Sequence, residues 1–597
     1  MKKTIYFIAG LILLAFTANA MAQEPQEPDA LYHQIIKEYT IHEDGSYDLH
    51  YFKKLELKSH FAFNRLFGET FVVYNPDFQE LEINKAYTIM ADGSKNPSPE
   101  RAFNEVLPRQ AQDFPEYSHL KEMVITHTGL EVGATIYLDY TLKTNNEMFN
   151  GFTFQEQLRK RVPVKEMKII VHVPEDYELM HKVNNLRLGP EVEKTKSGKT
   201  YTWLFKSMPS RIHEGHACEA EEASITILGG GKGLSAALDI DKISYTLPAA
   251  LSKKAKSIAK ENKGAFDRVI KSFEWLKETM DETHLPQAYM GKSVRHPEKV
   301  WKTNVGNTLE RSVLLASMIR ETGTHAVPVV VLRKGELPVI HSEDQIMVKV
   351  DVTDGVPVVL SVNDRQIKNH FYALGGKEMI PLEKGKSSQR ISVKEAMNEY
   401  DFEASLTLTP DTLYGEGSIQ LQHVLNPFFS LQENNEAIGK VVKGMPAYKS
   451  EMKQLSPASS KAELVFAAKN AGSLEEMLSR KVFNLPVVER GVGDWSLTLW
   501  NDRISTIEIP YPIKANVKIT IQLEGLTCLN RNFEMKQDYS FGKVFANVTV
   551  KGSKVTVKKE IELHKRCYNP IEYNELRSAL RIFGMDDFNN LVFRLNE

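Results

Sequence analysis

The chain has 597 residues and an almost balanced charge, with 75 lysines and arginines against 77 aspartates and glutamates. This balance gives no reason to expect a nucleic-acid partner, because basic surfaces are what mark such partners in a sequence. The length predicts three or four domains of about 150 residues each, which is enough chain to build several cores.

The first segment has the three parts of a secretory signal peptide. Met1-Lys2-Lys3 precedes an apolar run over 5–18, and Ala20-Met21-Ala22 offers a cleavage site. The apolar run is shorter than the roughly 20 residues that a membrane-spanning helix needs. No cysteine stands at the cleavage point, so a lipid anchor is not indicated, and no later segment is apolar enough to span a membrane. We therefore predict a signal peptide over 1–22 and a periplasmic or secreted protein.

Residues 23–244 are predicted to form a β-sandwich-like domain. Asp44-Gly45 lies between two alternating runs, and Asp92-Gly93 is a second turn of this kind. Asp-Gly between alternating runs predicts a β-hairpin. The short strand-like runs that follow have the spacing of a sandwich, and they end before three consecutive glycines at 229–231.

In the next segment the spacing of the apolar residues becomes that of a helix. We predict an α+β domain over 245–385. Within 252–280, four apolar residues fall on one helix face: Phe266, Ile270, Phe273 and Leu276. A second helix is predicted from Asn307 to Thr322, with Gly323 as its C-cap. Apolar runs near 327–332, 345–352 and 356–362 predict strands.

Residues 386–597 are predicted to form a β-rich domain that ends in a helix. A helical interlude, in more than one piece, is predicted near 432–478. The last helix, over 571–583, places four apolar residues on one stripe: Tyr573, Leu576, Leu580 and Phe583.

The chain has three cysteines, Cys218, Cys528 and Cys567. In an oxidising compartment a pair can form a disulfide. Cys528 and Cys567 both lie in the C-terminal β-rich region, so we predict that they form the pair and that Cys218 stays free. His213 and His216 stand near Cys218 and are metal-ligand types, but the stretch has the pattern of a loop between domains. We predict no metal site and no cofactor.

The segment 292–332 resembles the core of transglutaminase-like proteins. Arg295-His296-Pro297-Glu298 precedes Gly306-Asn307-Thr308-Leu309-Glu310, which leads into the predicted helix and its apolar strand. The N-terminal region, with Tyr74-Asn75-Pro76 and Gly129-Leu130-Glu131, resembles the β domain of unknown function that precedes this core in many exported bacterial proteins. Tyr568-Asn569-Pro570 resembles the start of the last helix of the β domain that follows it. The resemblance implies a central papain-like α+β domain between two β domains.

Active members of that superfamily use a Cys-His-Asp triad, and the resemblance implies that this chain has lost it. A cysteine at a helix N-terminus is favoured as the thiolate, and a histidine and an aspartate complete the proton transfer. Here Thr308 stands where the cysteine is expected. Gln345 matches the histidine position and Ser361 matches the aspartate position. We predict that no catalytic residue is intact.

Thr308 has a simpler interpretation at the start of its helix. A threonine hydroxyl is a weak nucleophile without a strong base, and Gln345 cannot accept a proton. His341, His325 and His370 fall in the same predicted domain and could approach Thr308. Asn307 followed by Glu310 three residues later has the pattern of a capping box, which only begins a helix.

The sequence favours an exported envelope protein whose transglutaminase-like domain binds or scaffolds without catalysis. The partner would be a peptide, a glycan or an envelope protein, held in the former active-site cleft. The alternative is a peptidase or acyl transferase with an unconventional nucleophile. A third possibility is an adaptor whose β domains make the contacts.

Overall fold

The computed structural model describes residues 27–596, except 219–220, 231–232, 341, 353–356, 393–396, 432–434, 470–473, 478–479, 498 and 500–501. The predicted signal peptide lies outside the described residues and remains a prediction. The chain is multidomain and α+β, with strand-rich N- and C-terminal parts around a part that contains most of the helices. The predicted domain boundaries at 244 and 385 remain predictions.

The N-terminal part is built on an eight-stranded sheet with one parallel pair of strands, Ala30–Ile41 beside Val164–Val173. In spatial order its strands are Glu191–Thr195, Gly198–Met208, Val164–Val173, Ala30–Ile41, Tyr47–Leu57, Thr135–Thr144, Gln79–Ile89 and Lys95–Pro97. Both predicted hairpins are confirmed, because Gly45 and Gly93 take the positive φ values, 87° and 85°, that their turns require. A further sheet contains Glu69–Tyr74, Lys121–Thr126 and Phe103–Val106, and a short helix spans Arg65–Gly68.

A three-stranded sheet, which we call the small sheet, packs against the eight-stranded one. It contains Leu179–Asn184, Ser224–Gly229 and Phe152–Gln157, in that order. Its strands alternate, so that Phe154 and Ile227 join the core shared with the large sheet. The residues at the intervening positions of each strand point to the opposite face. That opposite face is polar, and it is turned toward the central part of the chain.

The central part combines helices with a five-stranded sheet. Its helices are Ala249–Glu261, Ala265–Thr279, Gln287–Met290, Pro297–Thr303 and Thr308–Glu321. The sheet contains Pro357–Leu360, Ile346–Asp351, His325–Leu332, Glu378–Pro381 and Gln389–Arg390, and Asp281–Glu282 pairs separately with Val305–Gly306. The apolar face predicted within 252–280 lies on the helix Ala265–Thr279 and is confirmed, since all four of its residues are buried. Thr308–Glu321, here named the core helix, is buried on nearly every side.

The C-terminal part contains a second eight-stranded sheet with a parallel pair. Its strands, in order, are Lys449–Leu455, Ser459–Lys469, Thr412–Gln422, Asn398–Leu408, Ile513–Leu523, Lys554–Leu563, Gly542–Lys551 and Phe533–Tyr539. Leu474–Met477, Arg480–Asn484, Asn590–Leu595 and Leu526–Cys528 form a smaller sheet, and Val442–Lys443 pairs with Val487–Val488. Short helices span Phe428–Leu431 and Asp586–Asn589. The predicted last helix is Pro570–Gly584, and its apolar stripe is buried as expected.

The helical interlude predicted near 432–478 is wrong over most of its length. Among the residues of this range that the structure describes, a single 3₁₀ segment, Asn435–Val441, is helical. The strands Lys449–Leu455, Ser459–Lys469 and Leu474–Met477 follow it. The Lys, Glu and Ala residues of this region have high helix propensity, but propensity is a small contribution that tertiary contacts override. Ala462, Leu464 and Phe466 are buried at alternate positions beside Thr412–Gln422, and this pairing outweighs local preference.

The predicted disulfide between Cys528 and Cys567 is wrong. Cys567 is bonded to Cys218, across 349 residues of sequence and with Cα atoms 6.1 Å apart, while Cys528 is free. Cys567 lies on a short strand that pairs with Ile507–Glu508. The backbone of the 216–218 segment pairs with the chain at Thr506 and Ile507, on the other side of this short pairing. The Cys218 amide donates to the Thr506 carbonyl at 2.8 Å. The bond therefore joins the N-terminal part to the C-terminal part.

Within the described part of the chain, no helix is long and apolar enough to cross a membrane.

Candidate functional site

The core helix begins with the capping box that the sequence predicts. The Asn307 side chain accepts from the Glu310 amide at 2.9 Å, and Glu310 Oε2 accepts from the Asn307 amide at 2.9 Å. Both side chains are buried. The first turn of the helix is therefore closed by its own residues, and Thr308 is its first residue.

The Glu310 carboxylate also joins two parts of the chain. Arg295 donates to its two oxygens at 2.6 and 2.8 Å, and the Tyr117 hydroxyl donates to Oε2 at 2.7 Å. Arg295 also lies over the Tyr117 ring. Burial raises the pKa of Tyr117, and the charge of Glu310 adds to this. The tyrosine therefore stays protonated as a donor.

The Thr308 hydroxyl is enclosed beneath the loop that follows Pro357–Leu360. It donates to Asn363 Oδ1 at 3.3 Å, and Thr308 is only 2% exposed. Arg311, which is one helical turn further along, donates to the Val362 carbonyl at 3.0 Å and to Glu282 at 2.8 Å. This buried arginine holds the loop, and hence Asn363, against the helix start.

Glu343 is the ionisable group beside Thr308. Its Oε1 accepts from the backbone amide of Gln287 at 2.9 Å. Its Oε2 is buried without a normal hydrogen bond to any described residue. The pKa of Glu343 is raised to about 7, mainly by burial and further by the charges of Glu310 and Asp344. The Gln287 amide opposes this rise, and a weak interaction with the Thr308 hydroxyl does so to a smaller extent.

The other predicted triad positions point elsewhere. Gln345 accepts from the Ser342 amide at 3.0 Å and caps a 3₁₀ turn. Ser361 accepts from the Asn363 amide at 3.3 Å, so it supports the loop. Both residues stand two positions from the side chains that approach Thr308, which are Glu343 and Asn363.

The candidate histidines are bonded to other groups or lie outside the description. His325 contacts Asp351 at 2.8 Å and Glu383 at 3.2 Å. His370 is paired with Asp364. His341 lies outside the described residues, so its relation to Thr308 remains a prediction.

An open cavity of about 620 Å³ lies beside this closed site. One wall is the polar face of the small sheet, with Gln155, Ser224 and Asn184 on its three strands. The opposite wall includes Met347 and the turn that contains Gln345. The cavity and the triad position are therefore separated by the 343–345 turn, whose Glu343 faces Thr308.

The sequence carried only part of this arrangement. The capping box was visible because its two residues are three positions apart. Glu343 and Asn363 were missed because matching to a family pattern fixes register only to within a few residues in a loop. The cavity was missed because its walls come from distant segments, although the polar alternation at Thr153, Gln155 and Gln157 was present as a signal.

Two families match parts of the chain. Residues 43–212 match DUF3857, described as a domain of unknown function with a solved structure. Residues 479–593 match DUF3858, described in the same way. A search of curated proteins found no match.

A solved structure is similar over nearly the whole chain. It is the crystal structure of a protein described as "a putative protease" from Parabacteroides distasonis ATCC 8503. The two chains are 25% identical with a TM-score of 0.71, and the match covers 95% of this chain and 99% of the other. The fold is therefore shared with that protein, including the N- and C-terminal β-rich parts.

Proposed function

We propose that the protein is an exported, non-catalytic member of the transglutaminase-like superfamily that binds a ligand in the cell envelope. The observation that carries this proposal is the closure of the triad position: Thr308 is 2% exposed and hydrogen-bonded to Asn363. A reacting acyl group must reach its nucleophile, and there is no room for one here. The two domain matches and their order along the chain support the superfamily.

Binding takes place in the 620 Å³ cavity rather than beside Thr308. The sequence had suggested that the former active-site cleft is the groove, and the packing around Thr308 argues against that position. Pockets for small ligands have volumes of about 300–1,000 Å³, so this cavity is of suitable size. It would accept a short peptide, a small glycan or one segment of an envelope protein.

Export is proposed from the N-terminal segment, and the bond between Cys218 and Cys567 supports it. Disulfides persist in oxidising compartments such as the periplasm. Fusion of residues 1–22 to a reporter that is active only after export would test this, because a reporter that stays in the cytoplasm would refute the proposed location.

A second candidate function is a peptidase, because the similar solved structure is described as a protease candidate. Among the described neighbours of Thr308, Glu343, with its pKa raised to about 7, is the group that could act as the base of such a peptidase. Hydrolysis of a fluorogenic peptide library by the full chain and by Thr308→Ala separates the two functions. The non-catalytic proposal predicts equal background rates, and activity that disappears in Thr308→Ala would overturn it.

A further inference from the structure

The lining of the cavity carries an excess of positive charge. Five cationic side chains face three carboxylates, an excess of two. The cationic residues are Lys182, Arg211, Arg333, Lys334 and Lys377. A neutral ligand would leave this charge uncompensated, whereas an anionic one would balance it.

Most of these cations already have partners. Arg211 is 3.6 Å from Glu222, and Arg333 is 4.0 Å from Glu336. The Lys182 ammonium donates to the Gly335 carbonyl at 2.6 Å. Each of these groups is therefore held in the wall of the cavity by the protein itself.

Lys334 and Lys377 differ from these three because no described residue pairs with their ammonium groups, and of the two Lys377 is the one that is partly buried. The residue is half-buried, and it closes a tight turn in which its backbone amide donates to the Leu374 carbonyl at 3.0 Å. The pKa of Lys377 is lowered, first by burial and then by the nearby charges of Arg566 and Arg333. The more weakly felt charges of Glu508 and Glu336 oppose this lowering, although neither carboxylate pairs with the ammonium. A partly buried ammonium without an ion-pair partner is a group that a bound anion would stabilise.

The polar face of the small sheet indicates which chemical groups an anionic ligand would carry beside its charge. Gln157, Ser224 and Asn184 form one row across the three strands, because Ser224 pairs with both of the others. Side-chain amides offer a donor and an acceptor together, which complements a peptide group. None of the described residues that line the cavity is aromatic, so a sugar ring has no aromatic face on which to stack.

We propose that the cavity binds a short peptide by its free carboxylate, with the Lys377 ammonium as the anion-binding group and the small-sheet amides along the peptide backbone. This inference rests on the proposed binding function and adds the class of ligand. A carboxylate held by a partly buried ammonium is a charge-assisted hydrogen bond, which is stronger than a neutral one.

The test is calorimetric titration of the full, disulfide-bonded chain with N-acetyl-trialanine and with its C-terminal amide, which differ by one charge. We expect the acid to bind about tenfold more tightly than the amide, as loss of one charge-assisted contact implies. Lys377→Gln should remove this preference without changing the affinity for the amide. The matched control is Lys386→Gln, at an exposed lysine outside the cavity, and it should bind both probes as the unaltered chain does.

Three results would overturn the inference: equal affinity for acid and amide, an unchanged preference in Lys377→Gln, or no binding of either peptide. Titration with glucuronic acid and N-acetylglucosamine separates the alternatives. Binding of these sugars without the peptides would assign the cavity to a glycan, so the class of ligand would be wrong while the cavity would still be a binding site. The proposed non-catalytic function fails on a different measurement, the Thr308-dependent hydrolysis described above.

Discussion

The Thr308 hydroxyl donates to the Asn363 side chain over 3.3 Å, with Glu343 against the same hydroxyl. A hydroxyl, an amide and a carboxyl thus meet at the start of the core helix. The Thr308 hydroxyl has its acceptor in Asn363, whereas Glu343 Oε2 is buried without a normal hydrogen bond to any described residue. Together they enclose position 308, where our proposal places a lost catalytic cysteine.

Glu343→Gln should stabilise the protein at alkaline pH. The pKa of Glu343 in the folded protein is about 7, above its ordinary value of 4.5. Between these values the folded state binds more protons than the unfolded state, so this group lowers stability as the pH rises from 4.5 to 7. Removing it should gain up to about 3 kcal/mol at pH 8, following about 1.4 kcal/mol per pKa unit. Chemical denaturation at pH 8 and pH 4.5 measures this gain, which should be absent at the lower pH. An equal gain at both values would refute the raised pKa.

Glu310→Ala should destabilise the chain strongly. The substitution leaves the half-buried Arg295 guanidinium without its carboxylate and the Tyr117 hydroxyl without its acceptor. Breaking one partner of a buried ion pair costs about 3–5 kcal/mol. The control is Glu321→Ala at the other end of the core helix, whose pair with Lys256 is more exposed and should contribute less than about 1 kcal/mol. Similar melting temperatures for the two variants would show that the Glu310 network contributes little.

Cys218→Ser and Cys567→Ser should lower the melting temperature to a similar extent, because each removes the same cross-link. A native disulfide typically contributes about 2–5 kcal/mol. Cys528→Ser is the matched control and should have little effect, since that thiol is free. Mass spectrometry of the unreduced chain should show one blocked pair and one alkylated cysteine at 528. Alkylation at 218 would contradict this pairing.

Lys53→Met should stabilise the N-terminal part near neutral pH. Lys53 is buried, donates to Thr70 at 2.5 Å, and has its pKa lowered to about 7 by burial. Between pH 7 and 10.5 the unfolded chain binds more protons, so this group makes stability rise with pH across that window. Methionine removes the cost of burying the charge and should gain about 2–4 kcal/mol at pH 7. The gain should shrink toward pH 10.5. A gain that does not change with pH would point to packing alone.

Local features were predictable from the sequence. The Asn307 and Glu310 capping box needs only two residues three apart, and the stripe of the last helix needs only a period of 3.6. The strand Ser459–Lys469 was mistaken for a helix because its residue types favour helices, although its buried residues alternate.

Non-local features were not predictable. The partner of Cys567 lies 349 residues away and is brought there by the docking of one short segment on another. The environment of Glu343 depends on Gln287, and the cavity depends on two sheets meeting. Apart from the polar alternation of one cavity strand, at 153, 155 and 157, none of these arrangements is visible within a window of ten or twenty residues.

The most direct test of the account is the accessibility of position 308 compared with that of the cavity. In a Cys528→Ser background, Thr308→Cys and Gln155→Cys each present one free thiol, and iodoacetamide labelling can be followed by mass spectrometry. We expect the thiol at 155 to react at an ordinary rate and the thiol at 308 to react about a hundredfold more slowly, because labelling there requires local opening of the packed site. If the thiol at 308 reacts as fast as the thiol at 155, position 308 is open to solvent and the non-catalytic account is contradicted.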